Sequence, residues 1–432
     1  MKEVKHMLTQ APRGTRDILP QDSGKWQFVE SIMREEAALH GLREIRTPVF
    51  EHTELFLRSV GDTTDIVQKE MYTFNDKGNR SITLKPEGTA GVVRAFVEHG
   101  MFNDPQPTGT YYLNNPIFRY ESPQSGRYRE HHQMGVEVFG AAKASIDAEV
   151  ISIAGRVIER LGIRGVTLRI NSIGCPQCRP AYQQTLREHF APHLDAMCED
   201  CKRRYENNPL RLLDCKDERC QAFKQGAPSM IDCLCSECSD HFEELKASLE
   251  ALGIEYTVDT NIVRGLDYYT RTVFEYTAPL AGSDLALAAG GRYDLLVEQV
   301  GGPSTPGIGY GSGVERLLLV AQEQGVDLMP PPIFDVIVLS MGDDARKEAF
   351  SLAEGLRAAG LRATCDHVGR SLKAQMKYAG KLNAPYCVIL APDEIASGVA
   401  KVRDMAEGSE ETVPREDVIR ALIYSLQNRE EK

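Results

Sequence analysis

Three consecutive prolines at positions 330–332 separate two parts of the chain that differ in sequence rhythm. Proline fixes φ and has no backbone N–H, so such a run forms a stiff, extended linker. Before the prolines, the stretch from Leu84 to Phe139 alternates short strand patterns with turn residues, which predicts an antiparallel sheet flanked by helices. After them, three buried-strand patterns alternate with helical ones, which predicts a separate α/β domain at residues 330–432.

The overall composition is that of an ordinary soluble protein. A chain of 432 residues is too long for one core, so several domains are expected. The formal net charge of −12 argues against a surface generally coated for nucleic-acid binding, although a local groove of arginines could still bind RNA. No apolar run is long enough to span a bilayer, and the N-terminal segment has no apolar stretch that would direct export. We therefore expect a cytoplasmic protein with no membrane partner.

Nine of the eleven cysteines fall in one charged segment with a weak strand pattern, residues 173–242, which is predicted to be an insertion inside the first domain. Without an export signal, free thiols or metal ligands are favoured over disulfides. CxxC spacing suits tetrahedral zinc, and reduced cysteines that fill a small core are the alternative. The candidate ligands of a structural zinc ion are Cys175, Cys178, Cys198 and Cys201.

An arginine and two adjacent tyrosines lie just before a strand pattern at residues 264–276. Arg264 can form paired hydrogen bonds with a carboxylate or a phosphate. Tyr268 and Tyr269 offer rigid rings with hydroxyl tips. These side chains suit a small polar ligand with a negative centre, and an ordinary strand with surface charges is the alternative.

A polar turn follows the strand pattern that ends at Leu84. Glu87 could accept hydrogen bonds from a ligand ammonium group, and Thr89 adds a second acceptor. The alternative is that both residues cap the helix predicted from Ala90 to His99.

Two strand patterns joined by a polar loop predict a hairpin over residues 118–139. Arg119 and Glu121 are expected to share one face of the first strand, because side chains alternate along a strand. Gln133 and Glu137 are expected to share a face of the second strand for the same reason. The hairpin therefore presents either the polar floor of a site or an exposed surface.

A glycine-rich stretch at residues 306–313 leads into a helix that carries Arg316 near its start. The stretch lacks the Gly-Lys-Ser end of a phosphate loop and the βαβ context of a dinucleotide fingerprint. Glycines at alternate strand positions predict that a flat ring lies against the backbone. Arg316 could then stack on a nucleotide or form an ion pair with it.

Taken in chain order, these segments resemble the class II aminoacyl-tRNA synthetases. The Arg46–Glu51 segment with Pro48 is similar to motif 1, the hairpin with Arg119 to motif 2, and the glycine-rich strand that ends in Glu315 and Arg316 to motif 3. Three further stretches resemble signatures of bacterial histidyl-tRNA synthetases: PRGTRD at 12–17, RGLDYY at 264–269 and AAGGRYD at 288–294.

The resemblance implies an α+β fold with three domains. A class II catalytic domain with an antiparallel sheet and helices is expected at residues 1–172 and 243–329, the Cys-rich insertion at 173–242, and an α/β anticodon-binding domain at 330–432. The resemblance to motif 1 implies a homodimer. The family's activity implies that the protein uses ATP and Mg²⁺ to activate histidine and then transfers it to tRNA(His).

The resemblance also assigns roles to the matching residues. The residues expected to bind histidine are Glu87, Thr89, Gln133, Glu137, Arg264, Tyr268 and Tyr269. Those expected to bind ATP are Arg119, Glu121 and Arg316. Arg264 and Arg119 are in addition expected to be catalytic, because they would neutralise charge at the α-phosphate. Glu137 and Tyr269 are expected to pair with the imidazole.

The hairpin loop departs from the family pattern. Ser122 and Ser125 stand where cations are common, so contact with the tRNA acceptor end is left to Gln124, Arg127 and Arg129.

Two other functions share parts of the pattern. A regulatory subunit of ATP phosphoribosyltransferase has much of the catalytic fold without aminoacylation activity, but typically lacks the histidine signature and the anticodon-binding domain. A stand-alone RNA-binding protein would leave the ammonium and imidazole groups unexplained.

Overall fold

The computed structural model describes residues 10–61, 64–213, 215, 217–262, 265–280, 282–328 and 332–430. The chain forms two compact units, residues 1–329 and 330–432, and the division falls at the proline run. Within the described residues, no helix combines the length and apolar character needed to cross a membrane.

The first unit contains ten α-helices and eleven strands among its described residues. The helices are α1 (Pro20–Leu39), α2 (Thr53–Val60), α3 (Thr89–Glu98), α4 (Ala144–Arg160), α5 (Arg179–Phe190), α6 (Glu199–Asn207), α7 (Glu218–Lys224), α8 (Ser236–Ala251), α9 (Leu296–Gln299) and α10 (Val314–Glu323). The strands are β1 (Arg43–Glu44), β2 (Phe50–His52), β3 (Tyr72–Asn75), β4 (Ser81–Leu84), β5 (Thr108–Phe118), β6 (Glu130–Phe139), β7 (Thr167–Ser172), β8 (Thr257–Val258), β9 (Thr270–Leu280), β10 (Ser283–Arg292) and β11 (Gly307–Gly313).

An eight-stranded sheet forms the centre of the first unit, in the order β1-β5-β6-β11-β10-β9-β7-β8. The six inner strands are antiparallel to one another. The two short edge strands, β1 and β8, pair in parallel with β5 and β7. The predicted antiparallel sheet flanked by helices is therefore confirmed. One face of the sheet is covered by α1, α4, α8 and α10, whose apolar side chains form the main core with the strands. Trp26, Met33 and Ile153 are among these buried residues.

The predicted hairpin is present, but its first strand is shorter than the sequence suggests. β5 ends at Phe118, so Arg119 and Glu121 lie beyond the strand and do not share a strand face. The backbone N–H of Arg119 still donates to the carbonyl of Arg129 at 2.9 Å, but that of Tyr120 donates to the carbonyl of Glu70 at 2.8 Å, so the pairing with the second strand stops there. This long-range contact is not visible in the local alternation pattern.

A smaller antiparallel sheet, in the order β2-β4-β3, lies in the same unit. The strand expected at Arg46–Glu51 is broken, because β1 ends at Glu44 and β2 begins at Phe50. Pro48 lies in the gap between the two strands, where its missing N–H leaves no ladder position empty.

The cysteine-rich segment has a core of its own. Helices α5, α6 and α7 surround a cluster that includes Tyr182, Leu186, Phe190 and Leu212 together with buried cysteines. Its last helix, α8, already begins at Ser236 and packs through Phe242 and Leu245 onto the main core. The segment is thus attached directly to the central sheet.

The second unit has five strands and four α-helices among its described residues: β12 (Val336–Ser340), α11 (Asp343–Ala358), β13 (Ala363–Cys365), α12 (Leu372–Lys381), β14 (Tyr386–Leu390), α13 (Pro392–Ser397), β15 (Val399–Asp404), β16 (Glu410–Pro414) and α14 (Val418–Glu430). The sheet order is β13-β12-β14-β15-β16. β12 pairs in parallel with both β13 and β14, as the βαβ rhythm predicts. The antiparallel pair β15 and β16 extends the sheet beyond the predicted strands.

A buried ion network ties the central sheet to two of its helices. Arg292, at the end of β10, is fully buried and donates to Asp147 of α4 at 2.5 Å and to Asp294 at 2.9 Å. A ring nitrogen of His241 in α8 lies 2.9 Å from the second oxygen of Asp147. The partners outweigh burial and lower the pKa of the Asp147 carboxyl. Arg292 belongs to a predicted histidine signature, but its role in the structure is to hold elements together.

We expect Asp147→Asn to destabilise the first unit strongly. The substitution removes the Asp147 carboxylate from the buried Arg292 and leaves it only Asp294 of the two carboxylates described above; breaking a buried ion pair typically costs about 3–5 kcal/mol. Urea unfolding of the two proteins at neutral pH measures the loss. Glu54→Gln is the control, since its ion pair with Arg58 is exposed and should be nearly silent. Equal stability of Asp147→Asn and wild type would contradict this account of the network.

Candidate active site

A cavity of about 250 Å³ opens over β6, β10 and β11, and it brings together most of the residues selected from the sequence. The predicted site residues that line it are Glu87, Thr89, Arg119, Glu121, Gln133, Tyr268, Tyr269 and Arg316. Glu137 lies beneath this lining and is fully buried. Arg264 lies outside the described residues, but its neighbour Gly265 lines the cavity.

The turn before α3 both starts the helix and lines the cavity. The Glu87 carboxylate accepts hydrogen bonds from the backbone N–H groups of Thr89 at 2.8 Å and Ala90 at 2.7 Å, which satisfies the first donors of α3. The capping interpretation is therefore right for Glu87. Tyr268 donates its hydroxyl to the same carboxylate at 3.3 Å. Burial raises the pKa of Glu87, and the backbone N–H groups oppose this shift.

Glu137, in the middle of β6, is the most deeply enclosed acid of the site. Its carboxyl accepts hydrogen bonds from the hydroxyl of Thr89 at 2.7 Å and from the hydroxyl of Tyr293. Burial raises the pKa of Glu137 to about 8, with a further increase from Glu87 and partial relief from the two hydroxyl donors. Thr89 thus donates to Glu137 and does not cap α3 with its side chain.

The glycines around this carboxyl make room for protein atoms. Gly309 of β11 lies opposite Glu137 in the sheet register, and a Cβ at Gly309 would collide with the carboxylate. A Cβ at Gly290 would collide with the backbone of β11. Within residues 306–313, the expectation that alternate glycines admit a ligand ring is therefore wrong for Gly309. Gly311 and Gly313 do line the cavity.

Aromatic rings form the wall beside the two acids. The rings of Tyr268 and Tyr269 lie 4.6 Å apart, and Tyr293 meets Tyr268 edge-on at 5.8 Å. Tyr112 also lines the cavity, opposite Gly135 in the hairpin register. Sequence reasoning missed Tyr112 and gave Tyr293 no individual role. The feature that could have identified Tyr112 is its position opposite a glycine, Gly135, across the hairpin.

The opposite end of the cavity is cationic. Arg119 donates from Nε to the carbonyl of Pro86 at 2.7 Å, and Arg316 donates to the carbonyls of Gly126 and Ala286, both at 3.1 Å. These backbone anchors hold both guanidinium groups in place. Burial, followed by the charge of Arg127, lowers the pKa of Arg316. A bound anion would reduce the electrostatic repulsion between these clustered cations.

His131 also lines the cavity; adjacent residues of a strand face opposite sides, so at most one of His131 and His132 is expected to enter the site, and the sequence assigns a role to neither. Burial lowers its pKa to about 3, and the nearby charges of Arg119 and Arg316 act in the same direction. The imidazole therefore remains neutral among the arginines and can exchange hydrogen bonds with a ligand without adding charge. The adjacent His132 points to the other side, where its ring lies 2.9 Å from Glu315 and packs edge-on against Trp26.

Comparison with known protein families agrees with this geometry. The sequence model described as histidyl-tRNA synthetase matches residues 14–317, and the model described as anticodon binding domain matches residues 335–424. The chain belongs to the histidyl-tRNA synthetase family. The fold expected for this family, a class II sheet with helices and a C-terminal α/β domain, is confirmed.

Relatives match over nearly the whole length of the chain. A histidine–tRNA ligase of Caldanaerobacter subterraneus is 54% identical over 416 residues, which are 96% of this chain and 100% of the relative. The apo histidyl-tRNA synthetase of Staphylococcus aureus is 39% identical, with a TM-score of 0.82 over 96% of this chain and 100% of that structure. A Bacillus halodurans structure described as an ATP phosphoribosyltransferase regulatory subunit/histidyl-tRNA synthetase is 21% identical, with a TM-score of 0.59 over 90% and 98%, and shares the fold alone.

The raised pKa of Glu137 predicts how the stability of this synthetase depends on pH. The carboxyl ionises near pH 4.3 in the unfolded chain and near 8 in the folded protein, so stability falls as pH rises between these values, by up to about 1.4 kcal/mol per pH unit. The amide of Glu137→Gln cannot ionise. We therefore expect the stability of the variant relative to wild type to increase from about pH 5 to about pH 8.

Urea unfolding at the two pH values measures this difference. Glu323→Gln, at an exposed position near the end of α10, is the control and should follow the wild type at both. If Glu137→Gln also ran parallel to the wild type, the raised pKa would be refuted.

Proposed function

We propose that the chain is a histidine–tRNA ligase that works in two steps. Histidine first reacts with ATP to give histidyl-adenylate and pyrophosphate, and the histidyl group is then transferred to the 3′ end of tRNA(His). One observation carries the proposal: the cavity joins a floor of buried carboxyls and phenols to a cluster of fixed arginines. A ligand with an ammonium group and an imidazole fits the first end, and a nucleoside triphosphate fits the second.

The acidic end is proposed to bind histidine. The α-amino group would donate to Glu87, Thr89 and Gln133, which lie together at the start of α3 and on β6. Glu137 would accept from the imidazole N–H, while the Tyr269 hydroxyl donates to the other ring nitrogen. An isostere without these groups would leave buried polar atoms unpaired, which gives discrimination without a second, editing site. Tyr268, already bonded to Glu87, would close this pocket.

The cationic end is proposed to bind ATP. Arg119 would contact the α-phosphate, Glu121 the adenine, and Arg316 the far side of the nucleotide. Arg264 would lie between the α-phosphate and the histidine carboxylate. In-line attack of that carboxylate on phosphorus moves negative charge onto the phosphate oxygens and the leaving pyrophosphate. Arginines fixed in advance stabilise this charge without reorganising, which is the main catalytic contribution expected of them.

The family's use of Mg²⁺ fits the donors of this site. Mg²⁺ is commonly held by one or two carboxylates together with substrate phosphates, and Glu121 is a cavity-lining carboxylate next to the arginines. When bound, the ion would neutralise charge on the phosphates. Any metal held by the cysteines of residues 173–242 is separate from this requirement.

Further partners follow from the same proposal. A homodimer is supported by Val49 and Phe50, apolar residues next to Pro48 that are 41% and 52% exposed in the single chain. Binding of tRNA(His) is supported by the C-terminal unit, which matches the anticodon-binding model. Contact with the acceptor end would use Arg127 and Arg129, since Ser122 and Ser125 offer no charge. Cytoplasmic location follows from the role in supplying charged tRNA for protein synthesis.

Histidine-dependent ATP–pyrophosphate exchange tests the proposal. Wild-type protein should exchange with histidine and not with other amino acids. Tyr269→Phe should raise the KM for histidine by ~10- to 100-fold, because it removes one hydrogen bond from a buried polar ligand. Tyr424→Phe, an exposed tyrosine of the second unit, is the matched control and should behave as wild type.

The same assay separates the competing functions. Lack of exchange at saturating histidine would contradict ligase activity and favour a regulatory subunit of ATP phosphoribosyltransferase, for which the Bacillus halodurans structure provides the fold.

A further inference from the structure

Eight of the nine cysteines in residues 173–242 form two compact groups in the structure. The first cysteine cluster consists of Cys175, Cys178, Cys235 and Cys238, and the second consists of Cys198, Cys201, Cys215 and Cys220. Within each cluster all four Sγ atoms lie within 4.8 Å of one another. The ligand set expected from the sequence, Cys175, Cys178, Cys198 and Cys201, is therefore wrong as a single site. The two CxxC pairs of that set belong to different clusters: a third CxxC pair, Cys235 and Cys238, completes the first cluster, and Cys215 and Cys220 complete the second.

The sulfur separations match one small ion per cluster. Tetrahedral zinc with Zn–S bonds of about 2.3 Å places its thiolates about 3.8 Å apart. In the first cluster Cys175 Sγ lies 3.6 Å from Cys178 Sγ and 3.9 Å from Cys235 Sγ. In the second cluster Cys198 Sγ lies 3.8 Å from Cys215 Sγ. A disulfide is far shorter, at about 2.05 Å, and an iron–sulfur cluster binds its cysteines through separate irons, which holds them further apart.

Backbone groups point at the sulfurs in both clusters. The N–H of Cys235 donates to Cys178 Sγ at 3.1 Å, and the N–H of Cys198 donates to Cys220 Sγ at 3.3 Å. Such outer hydrogen bonds orient thiolates and offset part of their charge at metal sites. Both clusters thus have the second layer of contacts that a built metal site requires.

Apart from its cysteines, the segment at residues 173–242 has few buried apolar side chains that could form a core. Six of the fourteen buried residues in its apolar cluster are cysteines, so few large apolar side chains hold it together. Small folding units with so little apolar core are commonly stabilised by a structural metal. We propose that each cluster binds one zinc ion through four thiolates, so that the protein carries two structural zinc ions per chain.

The two sites would hold the segment against the cavity. Arg179 follows Cys178 directly and donates to the backbone carbonyl of Tyr269. Arg204 and Arg211 lie between Cys201 and Cys215 of the second cluster, and they form ion pairs with Asp65 at 3.0 and 3.3 Å. The first zinc would therefore fix the backbone beside Tyr268 and Tyr269. The second would fix α6, whose Arg204 contacts Asp65.

Zinc content of the full-length protein, purified without added metal and washed with a weak chelator, tests the proposal. We expect about two equivalents per chain. Replacing one pair of ligands, Cys175→Ser with Cys178→Ser, should leave about one equivalent, and so should Cys198→Ser with Cys201→Ser. Cys233→Ser is the matched control, because Cys233 lies in the same segment but outside both clusters, and it should retain both ions. Loss of all zinc from either double variant would indicate a single shared site and overturn the proposal.

A second measurement covers the case in which the variants fail to fold. Wild-type protein refolded with Co²⁺ should bind two equivalents and develop the intense thiolate-to-cobalt absorption of tetrahedral four-sulfur sites. Release of zinc from the native protein should make eight further thiols available to a thiol reagent. Wild-type protein with less than about half an equivalent of zinc and no cobalt signal, or with disulfides in place of the clusters, would refute the proposal.

Discussion

The carboxyl of Glu137 is the group on which the architecture of the site depends. An acid that is fully buried in the middle of a sheet is stable only if every oxygen is satisfied and the surrounding backbone leaves space for it. Thr89 and Tyr293 provide the hydrogen bonds, and Gly309 provides the space. Each of these residues is fixed in turn by a helix start, a strand end or a strand register. The shape of the pocket floor therefore follows from the requirement to accommodate one acid.

The remainder of the cavity complements this floor. Arg119 and Arg316 are held by backbone carbonyls at the other end, and His131 stays neutral between them because of its low pKa. One molecule of histidine and one of ATP would meet with the histidine carboxylate facing the α-phosphate. The buried ion pair between Arg292 of β10 and Asp147 of α4 holds this helix against the sheet that carries the cavity. Structural and ligand-binding residues are thus interleaved in the same short motifs.

The sequence indicated the division at the proline run, the antiparallel sheet and eight of the residues that line the cavity, because periodicity and ordered motifs carry that information. It failed where contacts between distant segments decide the outcome. Strand pairing stops after Arg119, where Tyr120 bonds to Glu70. Gly309 is needed for Glu137 and not for a ligand ring, and the cysteines separate into two clusters. None of these pairings has a local signature. The position of Arg264 is still a prediction, since it lies outside the described residues.

Calorimetric titration of histidine at pH 7, in two buffers with different ionisation enthalpies, tests the central claim most directly, because the difference counts the protons exchanged on binding. With a pKa of about 8, Glu137 is mostly protonated in the free protein at pH 7, and accepting the imidazole N–H favours its ionised form, so its pKa falls when histidine binds. The account predicts that wild type releases more protons per histidine bound than Glu137→Gln does, by up to one proton. Equal proton release by the two proteins would contradict the assignment of Glu137 as the partner of the imidazole.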